Sequence, residues 1–433
     1  MKRPDRTRRV RRVARDVLAR WPSIERHVQR ASRESKWAVS QCRWALAART
    51  MDGDRFLDIQ RLLRVPPKTV ARCSLIEISP ETGLGRAMPG DWDRGDKLFR
   101  DLDIAVAVRQ VYSEGASWED TVFYRRLVGA AEAGREWWGV TDRAGADARC
   151  AAIDRLYESM RVHGYLDTRS YEGDAVHSVP PLDEIAVVIG RDGRLLFANS
   201  AHRLAIAQLL DLPSVPVVVA ARHPGWMAFR RQVEQAVASY GGLAYQPPIH
   251  PDLETVPAHH DCESRLHMII AALETRQGTL LDIGANWGFF CHRLEDLGFD
   301  CIAVEDFPEA VHFLRKLRDA SDRRFDIVAR SVLEPDVTRG RDYSVVLALN
   351  IFHHFLKTEA AFVRFRSMLR GLNTRELYFE PHLDGELQMR DAARQMTSKA
   401  FAEFVAEQTG LRDVQLLGHS PDGRPLYRMS SGQ

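Results

Sequence analysis

The sequence predicts an α/β protein whose C-terminal half is a mostly parallel sheet with helices on both faces. Over residues 279–430, apolar runs typical of strands alternate with helical segments of about ten residues, as in a doubly wound sheet. The last two runs flank residues 420–424, which contain the Asp-Gly pair of a hairpin, so an antiparallel strand ends the sheet. The 433 residues are 45% hydrophobic and 28% charged, which fits two or three folded domains.

Composition argues against several classes of protein. Charged residues interrupt every apolar stretch before it reaches the ~18 residues of a membrane-spanning helix, so no transmembrane segment is predicted. The six cysteines are at least ten positions apart, which argues against a zinc knuckle or a disulfide scaffold and favours a reducing, cytoplasmic location. His259, His260, Asp261 and Cys262 look like metal ligands, but they lie in a proline-flanked segment without a matching ligand set. We therefore expect a surface loop there and no metal site.

The N-terminal segment is strongly basic. Residues 1–30 contain eleven Lys/Arg and three Asp/Glu, although the whole chain has a net charge of +2. Val10, Val13 and Val17 recur at the spacing of one helix face. These features predict a basic helical arm over residues 1–60 that makes peripheral contact with an anionic membrane or a polyanion, and a solvated helical tail is the alternative.

The middle of the chain contains a candidate phosphate-binding turn. Residues 184–220 follow the pattern strand, tight turn, strand, helix and buried strand, and Ser200, His202 and Arg203 lie where the second strand enters the helix. On these segments, residues 90–235 resemble the ParB/sulfiredoxin-like fold, an α+β fold in which a Gly-x-His-Arg or Gly-x-x-Arg turn binds nucleotide phosphate. Ser200 replaces the usual glycine, and a Cβ hinders close approach to a phosphate. In the alternative interpretation, His202 and Arg203 only brace the fold.

The first strand of the C-terminal half leads into Asp-Ile-Gly-Ala-Asn-Trp-Gly, a turn in which a ligand can touch the backbone. This turn and the strand order resemble the class I S-adenosylmethionine-dependent methyltransferase fold over residues 265–433, joined to the middle domain by a linker at residues 236–264. Asn286 takes the place of the family's middle glycine and tolerates a left-handed backbone. The resemblance assigns this loop to the cofactor through Asp282, Gly284, Ala285, Asn286 and Gly288.

A carboxylate follows the next strand. Glu305 lies 21 residues after Gly284, where an acid accepts hydrogen bonds from both ribose hydroxyls of a nucleotide. The resemblance makes Glu305 the ribose carboxylate and Asp306 its neighbour, places Ser331 near the adenine, and places Asn350 at the end of the fourth strand. A NAD-binding domain shows the same acid spacing, but the closing hairpin and the non-glycine middle of the loop favour the methyltransferase.

Two histidines and a glutamate are the candidate catalytic residues. The turn after Asn350 resembles the aromatic-His-His turn of many small-molecule methyltransferases, and a DNA amine methyltransferase is disfavoured because no Asn/Asp-Pro-Pro-Tyr motif is present. An imidazole with a near-neutral pKa can take a proton from a hydroxyl, so His353 and His354 are candidates, with packing under the cofactor as the alternative. Glu380, after the fifth strand, is a candidate for orienting a substrate hydroxyl or a histidine. A long helix is predicted near residues 389–409.

Together these features predict a cytoplasmic or membrane-peripheral enzyme that transfers a methyl group from S-adenosylmethionine to an oxygen of a sugar, glycan or related small metabolite. Such transfer needs mainly alignment and desolvation, because the sulfonium is already a leaving group. Three alternatives stay open: an RNA methyltransferase whose arm neutralises phosphates, a bifunctional kinase-methyltransferase whose middle domain phosphorylates the acceptor, and a non-catalytic binding protein.

Overall fold

The structure of the protein is a computed structural model that describes residues 62–76, 85–166 and 184–431. The predicted basic arm at residues 1–60 lies outside these described residues and stays a prediction. Within the described segments, no helix is both long and apolar enough to cross a bilayer.

The described chain forms two compact units. The first unit contains the described residues up to Gly190 together with Leu195–Pro224, and the second contains Arg191–Arg194 and the residues from Gly225 onward. The predicted domain boundaries at residues 90, 235 and 265 stay predictions.

The first unit is built on a mixed sheet of short strands. These strands are β1 (Leu62–Val65), β2 (Arg72–Cys73), β3 (Arg86–Ala87), β4 (Ile185–Ile189), β5 (Leu195–Asn199) and β6 (Val215–Arg222). Their order is β1-β6-β4-β5-β2, and β3 pairs with β6. The wholly buried β4 and β6 run parallel at the centre, while β4 and β5 form the antiparallel hairpin that the Asp-Gly turn predicts.

Helices surround this sheet and complete an α+β unit. The α-helices are α1 (Asp103–Glu114), α2 (Val122–Glu132), α3 (Arg143–His163) and α4 (Ala201–Leu209), and short 3₁₀ helices span Pro67–Thr69, Phe99–Asp101 and Trp118–Asp120. The ParB/sulfiredoxin-like assignment of this unit stays a prediction.

The second unit contains a seven-stranded sheet. Its strands are β7 (Gly278–Ile283), β8 (Phe299–Val304), β9 (Asp326–Val328), β10 (Asp342–Leu349), β11 (Asn373–Glu380), β12 (Asp413–His419) and β13 (Pro425–Ser430). The order is β12-β13-β11-β10-β7-β8-β9, in which β13 is antiparallel to both neighbours and the other pairs are parallel. This arrangement confirms the predicted Rossmann-like methyltransferase sheet with an antiparallel last strand.

Helices cover both faces of this sheet. They are α5 (Pro224–Ser239), α6 (Cys262–Ala272), α7 (Phe289–Glu295), α8 (Pro308–Ala320), α9 (Pro335–Thr338), α10 (Glu359–Gly371) and α11 (Ser398–Thr409), with 3₁₀ helices at Pro251–Leu253, Phe352–Leu356 and Leu387–Met389. Alternate residues of β7 enter different cores: Leu281 and Ile283 pack with α10 and α11, whereas Leu280 packs with α6 and α7. Each such buried aliphatic side chain contributes about 1.5–3 kcal/mol to folding.

The long helix predicted near residues 389–409 is wrong in its extent. Helix α11 begins at Ser398, where the Thr397 hydroxyl accepts a hydrogen bond of 3.2 Å from the backbone N–H of Ala400. Leu387–Met389 forms a separate 3₁₀ helix. Threonine is a strong N-cap residue, and its side chain competes here with continuation of the helix upstream.

Candidate active site

A cavity of 640 Å³ lies at the carboxyl edge of the second unit's sheet, next to the switch point between β7 and β10. Doubly wound sheets bind ligands at this position, and the volume is within the ~300–1,000 Å³ of small-molecule sites. The predicted site residues that line the cavity are Gly284, Asn286, Glu305, Asp306, Ser331, Asn350, His353 and His354. The predicted residues outside the lining are Asp282, Ala285, Gly288 and Glu380.

The loop after β7 approaches the cavity with its backbone. Gly284 has φ +74°, and a Cβ on it would lie 2.7 Å from Cγ1 of Ile351, so neither the conformation nor the space suits another residue. Asn286 adopts φ 52°, as expected for the residue that replaces a glycine. Gly288 has φ +85° and faces Leu314 in the core, so it shapes the loop without contacting the cavity.

Two further loop residues are buried in the core. Asp282 is 2% exposed, and burial raises the pKa of its carboxyl to about 7. The thiol of Cys291 lies 3.7 Å from this carboxyl as a weak hydrogen-bond donor. Ala285 is fully buried. These residues therefore support the loop and do not line the cavity.

Glu305 organises the second loop. Its Oε1 accepts hydrogen bonds from the backbone N–H groups of Asp306 and Phe307, both at 3.0 Å, and its Oε2 accepts one from Asn286 at 2.8 Å. A carboxylate has about four acceptor positions. One position on Oε2 is therefore left for a ligand, and the assignment of the ribose hydroxyls to this carboxylate stays a prediction.

Asn350 lines the cavity and is held there by backbone and side-chain hydrogen bonds. Its backbone has φ 55°, its N–H donates to the carbonyl oxygen of Glu380 at 2.9 Å, and its Nδ2 donates to the Tyr245 hydroxyl at 2.8 Å. Among the described residues, Oδ1 of Asn350 is buried without a hydrogen-bond partner, and so is Oδ1 of Asn286. A buried unsatisfied acceptor costs about 1–3 kcal/mol of folding free energy.

The two histidines differ in environment. His353 is 2% exposed, and burial together with the nearby His354 and Lys357 lowers its pKa to about 3. Both His353 ring nitrogens are buried without a partner in the described structure. The expectation of a near-neutral pKa is therefore wrong for His353, which stays neutral at physiological pH. His354 is exposed and lies 3.3 Å from the Lys357 ammonium, and its pKa is also lowered, mainly by desolvation.

Glu380 contacts other protein groups instead of the cavity. It is fully buried, its Oε1 lies 3.0 Å from Nε of Arg265, and the same oxygen accepts a hydrogen bond of 2.7 Å from Ser420. Burial raises the pKa of Glu380, and Arg265 opposes that effect. The prediction that Glu380 orients a substrate hydroxyl or a histidine is not supported by this placement.

A chain of contacts connects this ion pair to Tyr245. Arg265 donates to Nδ1 of His260 at 2.8 Å, and the His260 ring lies edge-on to Tyr245 with centroids 4.5 Å apart. Burial and the Arg265 charge lower the pKa of His260 to about 4, so its Nδ1 remains an acceptor at neutral pH. Because Tyr245 bonds to Asn350 and Asn350 bonds to the Glu380 backbone, these five residues form a closed ring of contacts.

The segment predicted as a surface loop is only partly at the surface, because His259 and Asp261 are exposed whereas His260 and Cys262 are buried. His260 is 4% exposed and Cys262 is fully buried, and the Asp261 carboxylate caps α6 by accepting a hydrogen bond of 3.1 Å from the N–H of Ser264. No group of three or more His, Cys, Asp or Glu within the described ranges could hold a metal ion.

The candidate phosphate turn of the first unit is engaged internally. Ser200 adopts φ 68° without being glycine, and its hydroxyl donates to the carbonyl oxygen of Glu184 at 2.9 Å. Arg203 is buried, with its guanidinium 3.7 Å from the Glu184 carboxylate, and the His202 ring lies against Trp138 with centroids 6.0 Å apart. This geometry favours the interpretation in which Arg203 braces the fold, and phosphate binding stays a prediction.

Sequence reasoning missed several residues of the cavity lining. Tyr245, Phe307, Phe355 and Gln388 all line the cavity. Tyr245 lies in the segment Tyr-Gly-Gly-Leu-Ala-Tyr-Gln-Pro-Pro, where the prolines and glycines predicted a linker. The two tyrosines of that segment were the available signal, because linkers rarely carry large aromatic side chains.

Comparisons with known proteins give structural similarity only. No protein-family model matches the chain, and no curated protein matches it. A crystal structure of the bifunctional kinase-methyltransferase WbdD is 21% identical over 46% of this chain and 46% of that chain, with a TM-score of 0.36. A crystal structure of monomeric WbdD is 20% identical over 46% of this chain and 48% of that chain, with a TM-score of 0.38. Magnesium protoporphyrin IX methyltransferase (ChlM) from Synechocystis PCC 6803 with bound SAM is 11% identical over 39% of this chain and 77% of that chain, with a TM-score of 0.31.

The similarity to WbdD spans less than half of the length of each WbdD chain. The fold assignment of the second unit therefore rests on its own strand order and on the direction of β13.

Proposed function

We propose that the protein is a methyltransferase that uses S-adenosylmethionine, held in the 640 Å³ cavity of the second unit. One observation carries the proposal: a loop with no room for a Cβ at Gly284 and the carboxylate of Glu305 face the same cavity at the switch point of a methyltransferase-type sheet. This combination suits a nucleoside that lies across the ends of the strands.

The lining residues fit the groups of this cofactor. The remaining acceptor position on Glu305 Oε2 suits one ribose hydroxyl. Asn286 and Asn350 also line the cavity and are uncharged, so they leave room for the polar tail of the cofactor. Ile351, Phe355 and Ser331 line the same cavity, which supports an apolar position for the adenine with its amine near Ser331.

The residues of the cavity determine what the site can do to an acceptor. When bound, the cofactor supplies a sulfonium-activated methyl group. His353 and His354 both line the cavity, and either ring would take the proton that the acceptor hydroxyl loses. A pKa of about 3 makes His353 a weak base, so it would serve only late in the transfer, when that proton is most acidic.

We propose further that the acceptor is a hydroxyl of a sugar, glycan or related small metabolite, and that the protein acts in the cytoplasm with residues 1–30 against an anionic membrane or polyanion. The eleven basic residues of this segment support the second part. Removal of residues 1–30 is expected to abolish cosedimentation with anionic vesicles at low salt. Salt-sensitive binding to RNA but not to vesicles would favour the RNA methyltransferase instead.

Calorimetric titration with S-adenosylmethionine tests the cofactor assignment. We expect Glu305→Ala to weaken binding about tenfold or more, because a hydrogen bond to a charged group contributes about 1.5–3 kcal/mol. Glu403→Ala, which removes an exposed partner of Lys399 away from the cavity, is the control and should bind like the intact chain. Equal affinity of all three proteins, or binding of NAD instead, contradicts the proposal.

The bifunctional alternative requires ATP to bind the first unit. If calorimetric titration with ATP detects no heat of binding, this alternative is excluded, and the methyltransferase proposal is unaffected.

A further inference from the structure

A second cavity of 310 Å³ opens beside the first within the second unit. Tyr245, Asn286 and Phe307 line both cavities, so these three side chains form a common wall. A ligand in the second cavity would therefore lie next to a cofactor in the first. The smaller volume is at the lower end of the ~300–1,000 Å³ range of small-molecule sites, which suits a single ring better than a chain of rings.

Aromatic side chains dominate the second cavity. Tyr240, Phe307 and Tyr245 are 54%, 52% and 36% exposed, and they are the three exposed residues among the Phe, Tyr and Trp of the described segments. All three line this cavity, together with the buried Trp287 and Phe313, whose ring centroids are 4.8 Å apart. Apolar surface left in water costs roughly 25 cal/mol per Å², so exposed rings that converge on one cavity indicate a binding surface.

The polar groups of the second cavity are acidic or neutral. Oε2 of Glu309 accepts a hydrogen bond of 2.9 Å from the Tyr240 hydroxyl, and its other oxygen can accept from a ligand. His259 adds an exposed imidazole. No Lys or Arg is among the described residues that line this cavity. Phosphates and carboxylates are recognised mainly by Arg and Lys, so this charge pattern disfavours an anionic acceptor.

We propose that the second cavity is the acceptor site and that it takes a neutral pyranose ring; this inference rests on the proposed methyltransferase function. The C–H face of the ring packs on the aromatic side chains, and its hydroxyls donate to Glu309. At the common wall, the Tyr245 hydroxyl accepts from Asn350 and so keeps its own proton to donate to a sugar oxygen. The acceptor is thereby held beside the methyl donor.

Saturation-transfer NMR on the full chain with saturating S-adenosylhomocysteine tests this proposal. The probes are the methyl pyranosides of glucose, galactose and mannose, with glucose 6-phosphate and p-cresol as the anionic and planar alternatives. We expect at least one methyl pyranoside to bind better than both alternatives. If none of the three pyranosides binds, or if glucose 6-phosphate or p-cresol binds best, the proposal is overturned.

Matched variants locate the binding. Glu309→Gln should weaken pyranoside binding about tenfold, the loss expected for one hydrogen bond to a charged group. Tyr240→Ala should also weaken it, because the variant removes a ring face on which the sugar packs. Tyr240→Phe should lose affinity while it keeps the ring, and Leu297→Ala, an exposed change elsewhere, should change nothing. Unchanged pyranoside affinity in Tyr240→Ala and Glu309→Gln overturns the site.

The affinity for S-adenosylmethionine separates the two proposals. Tyr240 and Glu309 do not line the first cavity, so both variants should bind S-adenosylmethionine like the intact chain. Loss of pyranoside binding with normal cofactor binding supports the acceptor site. Failure of the intact chain to bind the cofactor contradicts the proposed function itself, whereas normal cofactor binding without any pyranoside binding contradicts only the inference made here.

Discussion

Gly284→Ala is the most direct test of the loop at the cavity. Gly284 has φ +74°, and the added Cβ would lie 2.7 Å from Cγ1 of Ile351. An alanine in the left-handed region costs about 1–2 kcal/mol. Overpacking against a neighbouring side chain costs about 1–3 kcal/mol more. We therefore expect the free energy of unfolding of the second unit to fall by about 2–5 kcal/mol.

Gly410→Ala is a matched control for the backbone cost. Gly410 has φ +76° at the end of α11, and nothing lies within 4 Å of the position of its Cβ. This variant should lose about 1–2 kcal/mol, so the difference between the two variants measures the contact with Ile351. The double variant Gly284→Ala/Ile351→Ala should recover part of that difference.

Hydrogen-exchange mass spectrometry in urea, on peptides from β7 and β10, measures these free energies. Calorimetry should show weaker S-adenosylmethionine binding for Gly284→Ala and unchanged binding for Gly410→Ala, because the new methyl group points at the residue that lines the cavity. Equal losses of stability in both variants, with normal cofactor affinity in both, would refute the reasoning.

Three further perturbations follow from the buried polar groups. Glu380→Gln should destabilise the protein by up to about 3–5 kcal/mol in thermal unfolding, because Arg265 loses its buried partner at 3.0 Å and keeps only the Asp422 carboxylate at 3.7 Å; a change below about 1 kcal/mol argues against the ion pair. His292 binds a proton below pH 6.5 when the protein is unfolded, but burial lowers its pKa in the folded protein to about 3. The free energy of unfolding therefore falls as the pH drops from about 6.5 to about 3. In urea titrations, His292→Leu should reduce this pH dependence by about 1.4 kcal/mol per pH unit. Tyr245→Phe should weaken cofactor binding up to about tenfold in calorimetry, whereas Tyr343→Phe, which removes a hydroxyl without a hydrogen-bond partner in the described structure, should not; equal effects contradict the assignment.

The sheet of the second unit could be predicted from the sequence, because apolar runs and turn residues mark its strands locally. Strands β12 and β13 begin and end where the apolar runs predict, and the left-handed Asn286 and the glycine at 284 follow from the requirements of the loop. The start of α11 was missed although Thr397 is a local capping signal, because apolar periodicity continues upstream of it. Local patterns therefore give the order of elements better than their ends.

The chemistry of the site was harder to predict because it depends on burial and on distant contacts. Tyr245 and Asn350 are 105 residues apart, and no local pattern reports their hydrogen bond. The near-neutral pKa expected for His353 was wrong because the packing that excludes water from its ring is a tertiary effect. Glu380 was placed correctly at a strand end, but its partner Arg265 comes from α6, in a different part of the sequence.

The ring of contacts through Arg265 and Tyr245 implies that a fragment containing only the sheet would lack part of its stabilising contacts. A fragment that started at Gly278 would contain all seven strands of the sheet and both loops of the cofactor cavity. It would nevertheless lack Arg265, so the buried carboxylate of Glu380 would lose its ion-pair partner. It would also lack Tyr245, so that side of the cavity would be open to solvent. Recombination or engineering that exchanges this sheet should therefore include the chain from upstream of Tyr240, so that Tyr245 and Arg265 keep their contacts with it.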